Sequence, residues 1–364
     1  MKATITGIGV VGGFGCGVSA LEKAAAEGTA GPPKMISIRT SEGRSDVSGF
    51  LADTTPLTDF VPRKALRRID HFTRLALLGS YLALEDAGLD ENRRGRMGIV
   101  FATGYGSTCN SYNFLNPTID DDNPCASPTR FVNSVHSAAA AHIATLLGEN
   151  GPTLSINQYD MSATLAFQTA CHWLEEGRVD SVLVGGADEF SRAMGFYTQH
   201  VLPGLETGAP LEAPSMRIPI GEGSAFFVLE KDSTGPSAYA RVKYAGVQAL
   251  SDNPIAGPPD TLMIINSDGG PAILLEQSAE YVSYAHLCGS LPVGSAFDIA
   301  MAAIMLKAGR CFPPGPTTDG NQPHTPTISC APQEMAPQKI GCLKLGLAGD
   351  IGLVVLTCGG RHED

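Results

Sequence analysis

The stretch GPTLSINQYDMSATLAFQTACHWLEEGRVDSVLVGGADE, residues 151–189, constrains the fold more than any other part of this chain. A short strand-like run (residues 153–157) leads into a helical pattern (163–176), and a second buried run follows (179–185). Strand, helix and strand in such quick succession require a layered α/β arrangement, because each apolar face has to be covered by the next element. The rest of the chain repeats the theme. Residues 3–11 read as a β-branched strand, 19–27 as the helix after it, 69–87 as an amphipathic helix ended by Gly88, and 97–102 as a buried strand running into Gly104-Tyr105-Gly106. An alanine-rich helix is expected over 134–147, with Gly148 just past its end. Farther on, strands are expected at 225–230, 241–248, 262–266 and 352–357, and helices at 276–286 and 297–307. Residues 30–60 read as irregular and the Pro-rich segment 311–338 as a surface connection. A strand-helix series run twice suits one compact unit made of two halves, 1–235 and 236–364.

Charge and cysteine usage narrow the function classes. A formal net charge of -12 repels nucleic acid and anionic membrane alike. The nine cysteines (16, 109, 125, 171, 288, 311, 330, 342 and 358) are odd in number and form no Cys-x-x-Cys pair. Neither a disulfide framework nor a metal site is expected, and reduced thiols suit a cytoplasmic protein. The opening MKATITGIGVVGGFGCGVSALEKAAAEG is a glycine-broken apolar run followed by a polar helical pattern, so it reads as strand, loop and helix instead of a secretion signal. No stretch is long and apolar enough to span a bilayer.

Several segments in order resemble β-ketoacyl-carrier-protein synthases of the thiolase superfamily. ITGIGVVGGFG matches their opening strand and loop, RRIDHFTRLALLGSYLALEDAGL the helix before the second strand, and residues 151–189 the nucleophile elbow. GEGSAFFVLE matches the strand that follows, and Lys344-Leu345-Gly346-Leu347-Ala348-Gly349 the closing glycine-rich loop. The resemblance implies a thiolase-like fold: two pseudo-duplicated halves in layered α-β-α-β-α order. Its chemistry needs a cysteine at a helix N-terminus to carry the acyl chain and two histidines to steady the enolate left by decarboxylation.

This sequence departs from that pattern at each position. Counted from Gly151-Pro152, the nucleophile position is Asp160. The first histidine motif reads Asp268-Gly269-Gly270-Pro271-Ala272, and the second reads Cys288-Gly289-Ser290-Leu291-Pro292, so that Gly289 or Ser290 stands where the second imidazole would. A carboxylate is a feeble attacker of thioesters, and an anionic Asp268 repels an enolate. No catalytic residue is therefore assigned.

Plainer roles exist for the same residues. Asp160 suits a cap on the helix that follows, and Asp268 a turn. Cys171 falls in an apolar stripe with Phe167 and Leu174, as a core thiol does. His136 and His142 read as packing or interface residues, and Arg63, Lys64, Arg67 and Arg68 as a solvated helix start that could touch a carrier-protein helix.

Ketosynthase-like chains without their nucleophile serve, in type II polyketide systems, as chain-length factors. The resemblance thus implies an active ketosynthase as heterodimer partner, with acyl chains arriving on the phosphopantetheine arm of an acyl carrier protein, mainly through that partner. No cofactor of the chain's own is implied. In the family, the strand at 153–157 pairs across the dimer and the segment 107–115 reaches into the partner's tunnel, where Tyr112, Phe114 and Leu115 are the bulky residues available. The trimmed link between Glu230 and Asp268 and the Ser134-Val135-His136 sequence lean toward factors of polyene-type systems, such as aryl polyenes. Two alternatives are a thiolase-fold acyltransferase or hydrolase with a rearranged site, using Cys288 with His286, and a free-standing acyl carrier.

Overall fold

The computed structural model describes residues 3–358 except 41–42, 91–94, 121–126, 198–217, 232–237, 250–257, 267–280, 315–335 and 347–348. Asp268 lies outside the described residues.

The sheet grows from β1 (Ala3–Gly12), whose ten residues are all buried. Full burial on both faces explains why this strand reads as a continuous β-branched run without alternation. β1 is flanked by β9 (Gly223–Lys231) and β10 (Ala240–Ala249), antiparallel to both. On one side the order continues from β9 to β7 (Ser181–Asp188), β5 (Met97–Ala102) and the edge strand β6 (Thr153–Ile156). On the other it continues from β10 to β14 (Asp350–Cys358), β13 (Lys339–Leu345), β11 (Leu262–Asn266) and β12 (Tyr281–Val282). The two runs repeat one pattern of pairing. In each, two antiparallel pairs (β1·β9 and β9·β7; β10·β14 and β14·β13) are followed by two parallel ones (β7·β5 and β5·β6; β13·β11 and β11·β12). This is the mixed, layered α/β architecture expected from the alternation of strands and helices. A further pair, β2 (Gly15–Cys16), folds back on the end of β1.

Two helices sit against both runs. α6 (Ser162–Glu175) packs on β5, β7 and β9 and also on β10 and β14. α9 (Gly294–Ala308) packs on β11, β13 and β14 and also on β1 and β9, and residues Gly294 to Leu306 are all buried. A helix apolar all round belongs inside a protein, and α9 lies there. The outer helix α2 (His71–Ala87) covers β1 and β9; the Asp70 side chain accepts from the Thr73 N–H at its start, and Gly88 ends it in the left-handed conformation. α1 (Val18–Glu27) follows the first strand as expected.

Several sequence expectations need correction. Residues 34–40 and 43–50 are not irregular: β3 (Lys34–Thr40) and β4 (Gly43–Phe50) pair antiparallel, and β4 also pairs with β8 (Ile220–Gly221), in a separate small sheet. Its own small core of Ile38, Val47 and Ile220 is the apolar content that the surrounding Gly and Ser residues conceal. The helix expected over 134–147 is broken at Val135, whose backbone is extended, into α4 (Pro128–Ser134) and α5 (Ala138–Leu147). Within the helix expected over 276–286, residues 281–282 form the strand β12 and only a short helix α8 (Ala285–Cys288) follows. The sequence reading held no strand at 339–345, where β13 lies.

Candidate functional site

The loop after β6 is a single 3-10 turn, Tyr159–Met161, that feeds directly into α6. Tyr159 adopts φ 49°, one of two described non-glycine residues with positive φ. Such a backbone is held only where surroundings over-determine it. Here they do. Met161 is fully buried beside Gly346 and Gly352 of the β13–β14 region, and the Ser162 hydroxyl, whose one proton is shared between the carbonyl oxygens of Tyr159 (2.7 Å) and Thr103 (3.0 Å), accepts from the Gln158 N–H at 2.8 Å.

Asp160 stands at the start of this elbow with 6% of its surface exposed. The capping role expected for it needs correction, since Met161 is the N-cap residue of α6 and caps it with no side-chain hydrogen bond. The Asp160 carboxylate instead faces the ammonium of Lys344, with Nζ to Oδ1 at 3.3 Å. Lys344 is 0% exposed and also donates to Asn266 Oδ1 at 2.8 Å. Lys344 and Asn266 are register partners on the parallel strands β13 and β11, so the sheet itself sets the two side chains together. Burying a lone ammonium is prohibitive, and one carboxylate plus one amide oxygen make this one tolerable. Lys344 and Asn266 were missed as site residues; the available signal was a lysine inside the apolar run Leu343-Lys344-Leu345.

Gly289 and Ser290 follow α8 and lie along β8. Ser290 donates its N–H to the Pro219 carbonyl and accepts from the Gly221 N–H, both at 2.9 Å. Gly289 has φ 82°, and a Cβ there would come within 2.7 Å of the Gly221 backbone. A side chain at 289 is thus excluded by strain and by contact. Ser290 is half-buried, leaving it the position of the two that tolerates a side chain.

Two buried carboxylates border the elbow. Asp188, at the end of β7, accepts from Thr103 Oγ1 (2.7 Å) and from the N–H groups of Gly104, Tyr105 and Val293. Burial pushes its carboxyl up to about 6 against the pull of those donors. The next residue, Glu189, accepts from the Cys109 N–H at 2.9 Å, and burial pushes its carboxyl up to about 7. Close by, Glu222 Oε1 meets His71 Nε2 at 2.9 Å. Burial pulls His71 down, and the hydrogen bond and charge of Glu222 more than offset it, so its pKa is raised.

The residues named as tunnel candidates lie on α3 (Thr108–Asp120), a helix where the sequence reading had only a segment. Tyr112 is 55% and Leu115 51% exposed, whereas Phe114 is half-buried and leans on Phe131 of α4 with ring centroids 5.4 Å apart. Phe131 and Val132 on α4, together with Leu154 on β6, add exposed apolar surface. α3 and α4 pack on each other, so their exposed apolar residues lie on one outer surface.

Other cysteine and histidine candidates fall outside this constellation. Cys171 is buried in α6, and burial pushes its thiol up to about 12, where no thiolate exists at neutral pH. Cys288 Sγ is buried against the carbonyls of Ala285 (3.9 Å) and Gly289 (3.5 Å), and the ring packed near His286 is Tyr284. His136 packs edgewise over Gly106. Arg63, Lys64, Arg67 and Arg68 are exposed, the last two within the 3-10 turn Ala65–Arg68. No group of His, Cys, Asp and Glu arranged to hold a metal ion occurs among the described residues. No helix among them is long and apolar enough to cross a membrane.

Residues 8–234 match the family model for the beta-ketoacyl synthase N-terminal domain. The chain belongs to the beta-ketoacyl synthase family. Nodulation protein E of Rhizobium sp. (strain N33) is 28% identical over 307 residues, covering 79% of this chain and 73% of that protein. The ketosynthase-family fold extends beyond the matched domain: the ishigamide ketosynthase/chain length factor superposes with a TM-score of 0.80 at 18% identity, covering 99% of both chains. A chain of the complex between a ketosynthase and its chain length factor from Xenorhabdus doucetiae superposes with a TM-score of 0.73 at 16% identity, covering 98% of each chain. In this ketosynthase-family chain, the elbow between β6 and α6 is the place where Asp160 and Lys344 meet.

Proposed function

We propose that this chain is the non-catalytic, chain-length-setting partner of an active ketosynthase in type II polyketide or polyene biosynthesis. The observation that carries the reading is the buried Asp160–Lys344 pair at the elbow where ketosynthases hold their acyl-bearing cysteine. A carboxylate neutralised by an ammonium 3.3 Å away is a worse nucleophile than a free one. Any mixed anhydride it formed with an acyl group would hydrolyse.

Decarboxylation is unsupported as well. The enolate of a malonyl thioester needs donors that are stronger in the transition state than in the ground state. Position 268 is an acid in the sequence, position 289 has no room for a ring, and position 290 carries a hydroxyl. Removal of groups that act as a unit leaves little residual rate.

What the chain retains suits a scaffold. The β6 edge and the exposed apolar residues of α3 and α4 are the candidate surface for a second thiolase-fold subunit, and Tyr112, Phe114 and Leu115 are the side chains we propose to close that subunit's acyl tunnel. Acyl chains would reach the complex on the phosphopantetheine arm of an acyl carrier protein, docked mainly on the catalytic partner. Co-expression with a ketosynthase that carries the intact cysteine and histidines, encoded beside this chain, tests the reading. The two should co-elute as a heterodimer, and product length should change when this chain is exchanged or altered. A ketosynthase that makes the same products at the same rate without this chain would refute it.

A further inference from the structure

We propose that Lys344 is a positioning residue: its ammonium, through Asp160, sets the elbow that carries Tyr159, and through Tyr159 the loop that launches α3. The path is short and made of contacts already described. Lys344 sits on β13, a strand with neighbours on both sides, and its Nζ is fixed from behind by Asn266. On the other side it holds Asp160, the residue that directly follows the positive-φ Tyr159.

The Tyr159 ring meets the Tyr105 ring edge-on with centroids 5.6 Å apart and planes at 65°. The Asn157 amide donates to the Gly104 carbonyl at 3.4 Å, and the Ser162 hydroxyl, its proton shared with the Tyr159 carbonyl, lies 3.0 Å from the Thr103 carbonyl oxygen. Thr103 to Tyr105 is therefore held by the elbow on one side and by Asp188 on the other, and α3 begins at Thr108. A buried ion pair is a poor source of net stability, but it is a strong constraint on position. Removing one partner leaves an uncompensated buried charge, whereas replacing both with apolar groups of similar volume is often neutral. The elbow at position 160 has thus been rebuilt as a strut between the β11–β13 pair and the α3 surface.

This deepens the reading above only at its end point, since α3 carries the tunnel candidates. Its test uses the isolated full-length chain, so the two can fail separately. Three variants are compared with the parent chain by amide hydrogen exchange: Asp160→Asn, Lys344→Met, and the double variant Asp160→Leu with Lys344→Met. In each single variant, amides from Gly104 to Cys109 should exchange about tenfold faster or more, while those of β1 and β9 hold their parent rates. In the double variant the 104–109 amides should return to within about twofold of the parent, because no charge is left unpaired. If either single variant fails to fold, the double variant decides: soluble protein with near-parent exchange at 104–109 supports the strut. Single variants with unchanged exchange at 104–109, acceleration spread evenly over the molecule, or a double variant as disturbed as the singles combined would overturn it.

Discussion

That Asp160 stands at the family's nucleophile position is what the resemblance implies, and the residue itself was legible from the sequence because Gly151-Pro152 and Ser162 fix the count. Its partner was not, since Lys344 lies almost two hundred positions away and sequence spacing carries no information about which strand lies under an elbow. The pair changes what substitution should do. Asp160→Asn, harmless if the carboxylate merely capped a helix, leaves the Lys344 ammonium buried beside a neutral amide and should lower the unfolding free energy by about 3 kcal/mol or more. Urea denaturation measures this, and an unchanged midpoint would show that the pair does not constrain the fold. A second residue-scale expectation concerns pH. Glu189 is raised to about 7 and Asp188 to about 6, both chiefly by burial, so between their ordinary values and these the folded chain binds protons that the unfolded chain has released. Folding is then favoured as pH falls through that window and disfavoured as it rises. His71, raised by Glu222, acts in the same sense: its contribution is complete below its ordinary 6.5 and is lost as pH climbs through the folded value. The urea midpoint should therefore be higher at about pH 6 than at about pH 8. Glu189→Gln should flatten the difference. A parent midpoint that rises toward pH 8, or an undiminished slope in the variant, would contradict the burial argument.

Among the elements, buried strands and long helices were legible because their periodicity is local. β1, β5, β6, β9, β10, β11 and α1, α2, α6 and α9 lie close to where the sequence puts them. The β3–β4 pair was hidden because its apolar residues serve a miniature core of their own, and β13 because its glycine and lysine break a strand-like pattern. α3 was hidden too, since a helix with few apolar residues buried in this chain has no stripe to read. That same feature gives it a testable role. Phe114→Ala removes a ring that leans on Phe131, and Tyr112→Ala removes exposed bulk. If α3 closes the partner's tunnel, either variant should shift the reconstituted complex to longer products at matched amounts of assembled dimer. Unchanged product lengths from intact dimers would remove both residues from the tunnel. On the edge strand, Leu154→Asp places a charge at an exposed apolar position and, if β6 lies in the proposed heterodimer interface, should weaken assembly by about tenfold or more, measured by size-exclusion or binding titration. An unaffected dimer would place the interface elsewhere.

At the scale of the molecule, two five-strand runs share one pairing pattern. α6 and α9 are held by strands of both runs, and most of the core lies away from position 160. On the proposed reading, this architecture serves as a subunit for a related partner without chemistry of its own. On that reading, making a ketosynthase of this chain takes more than a nucleophile. Asp160→Cys sets a thiol beside Lys344, which favours the thiolate, yet still supplies no imidazole to steady the enolate. The most direct test of the central claim is acyl loading. The heterodimer, or the isolated chain if no partner is supplied, is incubated with acyl-carrier protein and then malonyl-carrier protein, and each subunit is weighed intact while CO₂ release is followed. The account predicts an acyl adduct on the ketosynthase partner, none on this chain, and no CO₂ from this chain alone; an acyl mass retained at the elbow of this chain, or CO₂ released by it in isolation, would contradict it.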